Sequence, residues 1–373
     1  MRIPLSSPDI TRKEVSAVRS VLNTRYLSLG PKLFEFENKC AKYVGTKYAV
    51  GLNSGTSGLH LIVRALGIGS GDEVITTPFS FIASSNCVLY EKAKPVFVDI
   101  DPDTLNIDAG RIEKKITKST KAILAVDVFA HPAQWDEIKK VADRRAVRLI
   151  EDSAEALGSE YKGKKCGTFG DAAVFSFYPN KQITTGEGAV IVTNIKKIHD
   201  LCRSMSNQGR HPMAEKWFGH VRLGYNYRLS DINASLGIAQ LSRIKEIIRK
   251  RQDIASAYNM SLREIPELEI PYVAAGVKMS WFVYVIKLSR KFDQTRRDKI
   301  IKIMAEKGIE CGAYFSPIHL HDFYRKKFGY KRGDFPVCEG IAQRTISLPF
   351  YNNLKVNELE YVVKCLKIAI NKV

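Results

Sequence analysis

The sequence has 373 residues, of which 45% are hydrophobic, and its formal net charge is +19. A chain of this length and apolar content can bury a large core, and the length favours two or three domains, or one large domain with a smaller one. The seven cysteines are scattered and include no C-x-x-C pair. This spacing argues against a disulfide framework and against a structural zinc site.

The positive charge is spread widely along the chain, with local runs such as "IKEIIRKRQD" and "YRKKFGYKR". Neither run belongs to a recognisable nucleic-acid module, so we interpret them as solvated faces and expect no nucleic-acid partner. A phosphate-bearing substrate would still benefit from the positive field. The opening "MRIPLSSPDITRKEV" lacks an apolar signal-peptide core, and no stretch approaches about 20 apolar residues. We therefore expect a cytoplasmic protein with no membrane partner.

The first two thirds of the chain alternate short apolar runs with amphipathic stretches. The strand-like runs are, in chain order, "DEVITTPFSF", "AKPVFVDI", "TKAILAVDVFA", "AVRLIEDS", "DAAVFSFY" and "GAVIVTN". A helical pattern, "DEIKKVADRRA", lies between the third and fourth of them. This alternation predicts an α/β domain with a mostly parallel sheet.

From about Leu229 the pattern becomes helical over "SDINASLGIAQLSRIKEIIRKRQDIASAYNMSLREI". This stretch exceeds an ordinary helix, and we interpret it as a bridge between two domains. The rest of the chain contains a strand-like run and two helical runs, in the order "SWFVYVIKLS", "TRRDKIIKIMAEKG" and "NELEYVVKCLKIAI". They predict a smaller α+β unit, and we place the large domain at residues 1–255 and the small domain at residues 256–373.

In open α/β sheets, ligands bind beyond the carboxyl ends of the strands, and four segments there carry suitable residues. In "GLNSGTSGLHLIVRAL", small residues lead into a helical run. The free N–H groups of that helix start, with Thr56 and Ser57, offer a phosphate site; helix capping is the alternative. In "LIEDSAEALGS", an apolar strand ends at Asp152. A buried carboxylate needs a partner, and a structural salt bridge is the alternative to a ligand.

The third segment, "TTPFSFIASSNC", places Phe79 and Phe81 at a strand end, where an aromatic ring either packs in the core or stacks on a flat ligand. The fourth, "FSFYPNKQITTGEGAVIVTN", places Ser176 five residues before Lys181 in a short loop between two strands. Such a lysine is either a solvated loop charge or an amine at the mouth of a site. A flat, phosphorylated, cationic heteroaromatic cofactor that reacts with an amine accounts for all four segments. Pyridoxal 5′-phosphate (PLP) has those properties.

Four motifs in order, "NSGTSGLHL", "EDSAEALGS", "FSFYPNKQITTGEGAVIVTN" and "LGYNYRLSDINASLGIAQL", resemble the sugar-nucleotide aminotransferases of the DegT/DnrJ/StrS family. The resemblance extends over essentially the whole chain, including "FSPIHLHDFY" and "SLPFYNN" near its end. It implies the aspartate-aminotransferase fold (fold type I of PLP enzymes), an α/β fold with a large domain around a mostly parallel sheet and a smaller C-terminal α+β domain.

The resemblance implies specific roles for residues of this chain. Lys181 would form the Schiff base with PLP, and Asp152 would pair with the pyridine nitrogen. The further residues implied at the cofactor are Gly55, Thr56, Ser57 and Ser176 at the phosphate, Phe81 stacked on the ring, and Asn226 of "GYNYR" at the phosphate of the neighbouring subunit. A contact of the last kind implies a homodimer with shared active sites.

Two further positions need comment. Glu155 stands where many relatives carry Gln or His, and an ionised Glu cannot donate a hydrogen bond to the cofactor's phenolic oxygen. Glu155 is therefore either protonated by its surroundings or directed toward the substrate. His319 and His321 lie two residues apart, but no acidic or cysteine ligands nearby support them, so no metal site is predicted. The resemblance places His319 near the sugar pocket as a candidate substrate contact.

Lys181 favours transamination, because a dehydratase branch of the same family carries histidine at this position. We therefore expect transfer of an amino group from L-glutamate to a nucleotide-linked 4-keto-6-deoxyhexose, for surface polysaccharide, lipopolysaccharide or glycoconjugate synthesis. A 3-keto sugar is the alternative substrate. A protein of this fold that has lost catalysis and serves a regulatory role is the alternative function.

Overall fold

The computed structural model describes residues 2–211 and 219–373. Within them the α-helices are α1 (Arg12–Leu22), α2 (Pro31–Val44), α3 (Gly55–Ala65), α4 (Ala83–Tyr90), α5 (Ala109–Ile112), α6 (Trp135–Arg145), α7 (Lys196–Ser206), α8 (Asp231–Ser242), α9 (Ile244–Leu262), α10 (Gln294–Glu306), α11 (Asp322–Phe328), α12 (Pro336–Ala342) and α13 (Val356–Asn371). Short 3-10 segments cover Glu113–Lys115, Val128–Ala130 and Ile318–Leu320.

The strands of the same residues are β1 (Tyr48–Leu52), β2 (Glu73–Thr76), β3 (Lys94–Phe97), β4 (Thr120–Val126), β5 (Arg148–Asp152), β6 (Glu160–Tyr161), β7 (Lys164–Lys165), β8 (Ala172–Ser176), β9 (Ala189–Thr193), β10 (Leu268–Glu269), β11 (Val277–Lys278), β12 (Tyr284–Leu288) and β13 (Thr345–Leu348). They form a seven-stranded sheet in the order β1-β9-β8-β5-β4-β2-β3, and two three-stranded sheets in the orders β10-β12-β13 and β11-β6-β7.

Local sequence signals explain where the first helices begin and end. Thr11 caps α1, and Glu14 accepts a hydrogen bond from the Thr11 N–H at 2.7 Å, which forms a capping box. A proline, Pro31, opens α2, and Gly45 closes it with a left-handed φ of 97°. These ends agree with the standard preferences for proline at helix starts and glycine after helix ends.

The large sheet is mostly parallel, as predicted. Strands β8, β5, β4, β2 and β3 lie side by side in parallel, whereas β9 runs antiparallel between β8 and β1. The six strand-like runs of the sequence contain β2, β3, β4, β5, β8 and β9. Strand β1 was not predicted, because "YAVGL" is short and carries no alternation of polar and apolar residues.

The long helical stretch predicted after Leu229 consists of two helices. Arg243 separates α8 from α9 and has φ −106° and ψ 5°, which lies outside the helical region. Its side chain is 9% exposed and forms ion pairs with Asp9, Glu14 and Glu246 at 3.0–3.2 Å. The helix is therefore interrupted where carboxylates from the N-terminal segment hold the arginine.

A second core surrounds the β10-β12-β13 sheet, against which α9, α10 and α13 pack. Ile3 belongs to this core: it is fully buried and pairs with Ile309. The extreme N-terminal segment thus packs with the C-terminal unit, which a single boundary after residue 255 does not describe. The division into residues 1–255 and 256–373 stays a prediction, and the structure adds only that the segment around Ile3 packs with the C-terminal unit.

The carboxyl ends of the parallel strands meet at one edge of the large sheet. Strand β5 ends at Asp152 and its parallel neighbour β8 ends at Ser176, while β1 leads directly into α3. This topology gathers the sequence segments that were singled out above. No helix of the described residues is both long enough and apolar enough to span a bilayer.

Candidate active site

A cavity of about 550 Å³ opens at this edge of the sheet. It is lined by residues from all four of the segments identified in the sequence. The predicted site residues that line it are Gly55, Thr56, Phe81, Asp152, Glu155, Ser176 and Lys181. The structure therefore brings the segments together, while the individual roles remain predictions.

Lys181 lies in the loop between β8 and β9, where its N–H donates to the Tyr178 carbonyl at 2.9 Å. Its side chain is only 12% exposed, so it is not a solvated loop charge. The Nζ atom lies 3.4 Å from Glu155 Oε1 and 3.8 Å from the centroid of the Phe282 ring. The amine is thus held inside the cavity, where it can act as a nucleophile or transfer a proton.

Asp152 is buried at the end of β5 with its carboxylate on the cavity wall. Its Oδ2 accepts a hydrogen bond from Ser84 Oγ at 2.6 Å, and its Oδ1 accepts one from the Ala154 N–H at 3.3 Å. Burial raises the pKa of Asp152, while these donors and the Lys181 ammonium oppose the rise. Among the described residues Asp152 forms no ion pair closer than 4.0 Å, so the structural salt bridge considered above is not what the chain provides.

Glu155 lies beside Lys181. Its side chain is buried, and Oε2 accepts a hydrogen bond from the Phe129 N–H at 2.8 Å while Oε1 faces the lysine amine. Burial raises the pKa of Glu155, although the Lys181 charge and the Phe129 N–H act in the opposite direction. Both earlier expectations are compatible with this placement, because the carboxyl group lines the cavity and is shifted toward its protonated form.

The start of α3 provides backbone donors at the cavity. Ser54 caps the helix by accepting a hydrogen bond from the Ser57 N–H at 3.1 Å, so the capping role belongs to Ser54 rather than to Thr56 or Ser57. The Ser57 hydroxyl donates to Asn53 Oδ1 at 2.7 Å. Thr56 lines the cavity, whereas Ser57 does not do so in the described structure. The predicted contact of Ser57 with a phosphate is therefore not supported by its side chain.

Gly55 allows α3 to start close to Ser176. A Cβ atom added to this glycine would lie 3.3 Å from Ser176 Cβ and 3.5 Å from Ser176 Oγ, so a larger residue would crowd Ser176. Free N–H groups at a helix start attract anions, and the Ser176 hydroxyl adds a further donor. This corner of the cavity therefore suits a phosphate.

Aromatic rings form much of the remaining wall, and they come from distant parts of the chain: Phe81, Tyr178, Phe282, Tyr314 and Phe315. Phe81 is 63% exposed, and a large exposed ring at a cavity is available to stack on a flat ligand. Phe79, two residues earlier, is fully buried and packs edge to face with Phe129. Of the two alternatives for this segment, Phe79 takes the core position and Phe81 the cavity position.

Two predicted residues lie away from the cavity. Asn226 is exposed and pairs with Asn207, and it does not line the cavity of its own chain. His319 is fully buried in a 3-10 segment rather than a strand, and its Nε2 lies 3.0 Å from Glu339 Oε1. The structure therefore does not bring His319 to the substrate cavity, because the Glu339 carboxylate holds its ring in the interior.

The described residues contain no cluster of three or more His, Cys, Asp or Glu side chains arranged to hold a metal ion. Two other features of the cavity point to a charged organic ligand. Within the part of the chain that the structure describes, Asn180 Oδ1 is buried at the cavity without a hydrogen-bond partner, and Asp152 buries its carboxylate without an ion-pair partner. PLP offers a protonated ring nitrogen for Asp152, a phosphate for the start of α3 and an aldehyde for Lys181. The residues present fit this cofactor.

Several lining residues were not predicted from the sequence, namely Ser84, Asn180, Phe282, Tyr314 and Phe315. Ser84 and Asn180 stand inside motifs that had already been selected, and each carries a polar group beside a key residue. The three aromatic residues belong to the C-terminal part of the chain. They pack with residues of the N-terminal half in one core, and no local pattern of the sequence indicates this contact.

Comparisons with known proteins agree with this geometry. The model of the DegT/DnrJ/EryC1/StrS aminotransferase family matches residues 8–367. The spore coat polysaccharide biosynthesis protein SpsC of Bacillus subtilis is 36% identical over 98% of this chain and 96% of its own length. The GDP-perosamine synthase of Escherichia coli O157:H7 is 36% identical over 98% of this chain and 97% of its own length.

Among solved structures, the PLP form of Spr1654 from Streptococcus pneumoniae superimposes with a TM-score of 0.95. It is 29% identical and covers 100% of this chain and 99% of its own. The family match, the full-length relatives and the cavity that fits PLP lead to one assignment. The chain belongs to the DegT/DnrJ/EryC1/StrS aminotransferase family and is a PLP-dependent sugar aminotransferase.

Proposed function

We propose that this enzyme transfers an amino group from L-glutamate to a 4-keto-6-deoxyhexose attached to a nucleoside diphosphate. The observation that carries the proposal is the position of the Lys181 amine, 3.4 Å from Glu155 Oε1, in a cavity whose wall also contains Asp152. A nucleophilic amine, a buried carboxylate and a phosphate corner are the groups that PLP-dependent transamination needs.

Each group has a definite task in this proposal. PLP, when bound, supplies the electron sink that stabilises a carbanion. Lys181 would hold the cofactor, and its amine would move a proton between the reacting carbons. The Asp152 carboxylate would stabilise positive charge on the ring nitrogen, and the N–H groups at Gly55 and Thr56 would hold the phosphate together with Ser176. Glu155 orients the Lys181 amine through their direct contact.

The choice of substrate rests on the relatives and on charge. The name of the E. coli relative specifies a GDP-linked perosamine product, which supports a 4-amino sugar, and the name of the B. subtilis relative supports a polysaccharide pathway. The formal charge of +19 favours an anionic substrate such as a nucleoside diphosphate. A 3-keto sugar is the second candidate for the acceptor.

We further propose a homodimer with shared active sites in the cytoplasm, where glutamate and nucleotide-linked sugars are available. The exposed position of Asn226, outside the cavity of its own chain, supports a role toward the cofactor phosphate of a neighbouring subunit. In a twofold dimer each chain would complete the site of the other.

The test is an assay of GDP-, UDP- and dTDP-linked 4-keto and 3-keto sugars with L-glutamate. We expect consumption of a 4-keto sugar together with stoichiometric 2-oxoglutarate, and no turnover by the Lys181→Ala variant. Preferential consumption of a 3-keto sugar would replace the proposed acceptor. The absence of turnover with every keto sugar, by protein that carries bound PLP, would refute the proposed reaction.

A further inference from the structure

Arg251 is a buried cation with an unusual set of partners. It lies in α9 and is only 3% exposed, yet no carboxylate pairs with it among the described residues. Its Nη2 donates to the Lys181 carbonyl at 3.1 Å, and its Nη1 donates to the carbonyls of Trp281 and Phe282 at 3.1 and 3.0 Å. The guanidinium therefore joins the loop that carries the lysine to the segment that carries the Phe282 ring.

The segment that Arg251 holds is strained. Trp281 has φ 54°, a left-handed conformation that is rare for a bulky side chain. The neighbouring residue of α9, Gln252, accepts a hydrogen bond from Trp281 Nε1 at 2.8 Å. Two consecutive side chains of α9 thus fix both the backbone and the indole of Trp281. The next residue, Phe282, places its ring 3.8 Å from Lys181 Nζ.

We propose that Arg251 and Gln252 are positioning residues for Lys181, which hold the lysine loop and the strained Trp281–Phe282 turn in register so that the amine faces the cofactor. This inference rests on the proposed role of Lys181. It goes beyond that role because neither α9 residue lines the cavity.

The chemistry of Arg251 favours positioning over a general contribution to the core. Burial lowers the pKa of Arg251 to about 10, while the charge of Asp9 opposes this shift, so the guanidinium stays charged at neutral pH. A buried cation is unfavourable unless it forms hydrogen bonds. Here both Nη atoms donate to backbone carbonyls of the lysine loop and of Trp281 and Phe282, while Nε has no partner among the described residues. A hydrophobic residue of similar volume would fill the same space, but it would leave those three carbonyls free to move.

The test compares Arg251→Met, Arg251→Lys and Gln252→Leu with a control, Arg249→Met. Arg249 lies on the same helix, and its side chain is 69% exposed. Among the described ion pairs it contacts only the exposed Asp253. The control therefore makes the same substitution at an arginine that contacts neither the lysine loop nor Trp281. Cofactor-free proteins are mixed with PLP. Total bound PLP is measured by ultrafiltration, and the rate of covalent attachment to Lys181 is measured by borohydride trapping and peptide mass analysis. Thermal unfolding reports whether each variant is folded.

We expect total PLP binding to persist through the phosphate corner, while trapping at Lys181 slows about tenfold or more in Arg251→Met, since a displacement of about 1 Å can cost roughly a hundredfold in rate. Arg251→Lys keeps the charge but cannot reach three carbonyls, so it should recover the rate only in part. Gln252→Leu should show a smaller loss, and Arg249→Met should match the unmodified protein.

Trapping at the unmodified rate in folded Arg251→Met would overturn the inference. If that variant does not fold, unmodified rates in both Arg251→Lys and Gln252→Leu would overturn it instead. A failure of the proposed function would look different: the unmodified protein would trap PLP on Lys181 but turn over no keto sugar. If the unmodified protein showed no borohydride-stable PLP on Lys181, the role of this lysine and the present inference would be rejected together.

Discussion

Replacement of Asp152 by asparagine separates the charge of this residue from its shape. The amide has nearly the volume of the carboxylate, and its oxygen can still accept the Ser84 hydroxyl that now lies 2.6 Å from Oδ2. The substitution therefore leaves the end of β5 intact but removes a buried negative charge that has no ion-pair partner among the described residues. In the cofactor-free protein it should cost little stability, because burial already raises the pKa of Asp152.

The expected loss in the loaded enzyme follows from the burial of Asp152, which is 4% exposed. Two unit charges about 4 Å apart in an environment with an effective dielectric constant of about 20 interact by about 4 kcal/mol. If that stabilisation of the protonated ring nitrogen is lost in the transition state, kcat should fall about a thousandfold. Ser84→Ala keeps the charge and removes one hydrogen bond, so we expect a loss of only about tenfold.

The assay measures kcat with a keto sugar and glutamate, together with PLP occupancy and the thermal unfolding midpoint of each cofactor-free variant. We expect a graded series in which Ser84→Ala lies between the unmodified enzyme and Asp152→Asn. Turnover of Asp152→Asn at an unchanged rate, with normal PLP occupancy, would refute the assignment of Asp152 to the ring nitrogen.

Three further predictions concern residues assigned to the same active site. Lys181→Ala should fold and retain PLP noncovalently, while borohydride reduction fixes no cofactor to the protein; normal transamination would contradict the role of this lysine. Asn226→Asp should weaken PLP binding, since it sets a negative charge against a phosphate. Mixing it with Lys181→Ala under conditions of proven subunit exchange should restore at most roughly a quarter of normal activity, because about half of randomly exchanged dimers are mixed and one of their two sites is intact. No recovery would exclude a shared site. Glu155→Gln keeps the size of the side chain but cannot ionise, so the acid limb of the pH–rate profile that reflects Glu155 should disappear; an unchanged profile would show that Glu155 does not titrate in turnover.

The fold was largely predictable because its strands are continuous apolar runs that end at turns. The six predicted runs each contain a strand of the large sheet, and the final helix was placed within one residue at each end. The interruption at Arg243 was not predictable, because it depends on Asp9 and Glu14, which lie more than 200 residues away along the chain. A helical pattern reports local periodicity and contains no information about such partners.

The same distinction applies to the cavity. Residues at the carboxyl end of a strand, such as Asp152 and Ser176, can be found from the sequence because ligands of open α/β sheets bind beyond those ends. Phe282 and Arg251 reach Lys181 from positions much later in the chain, and only tertiary packing reveals them. His319 shows the converse case: this histidine lies fully buried beside Glu339, so its substrate contact stays a prediction that the cavity does not support.

The pairing of Ile3 with Ile309 has a consequence for the order of events during synthesis. The two residues are separated by 306 positions, so at roughly 5–20 residues per second the N-terminal segment waits about 15–60 s for its partner to be translated. The large sheet, complete by residue 193, can form in the meantime. We therefore expect nascent chains that stop before residue 309 to keep Ile3 sensitive to protease even when the sheet is already resistant, and full-length chains to protect it.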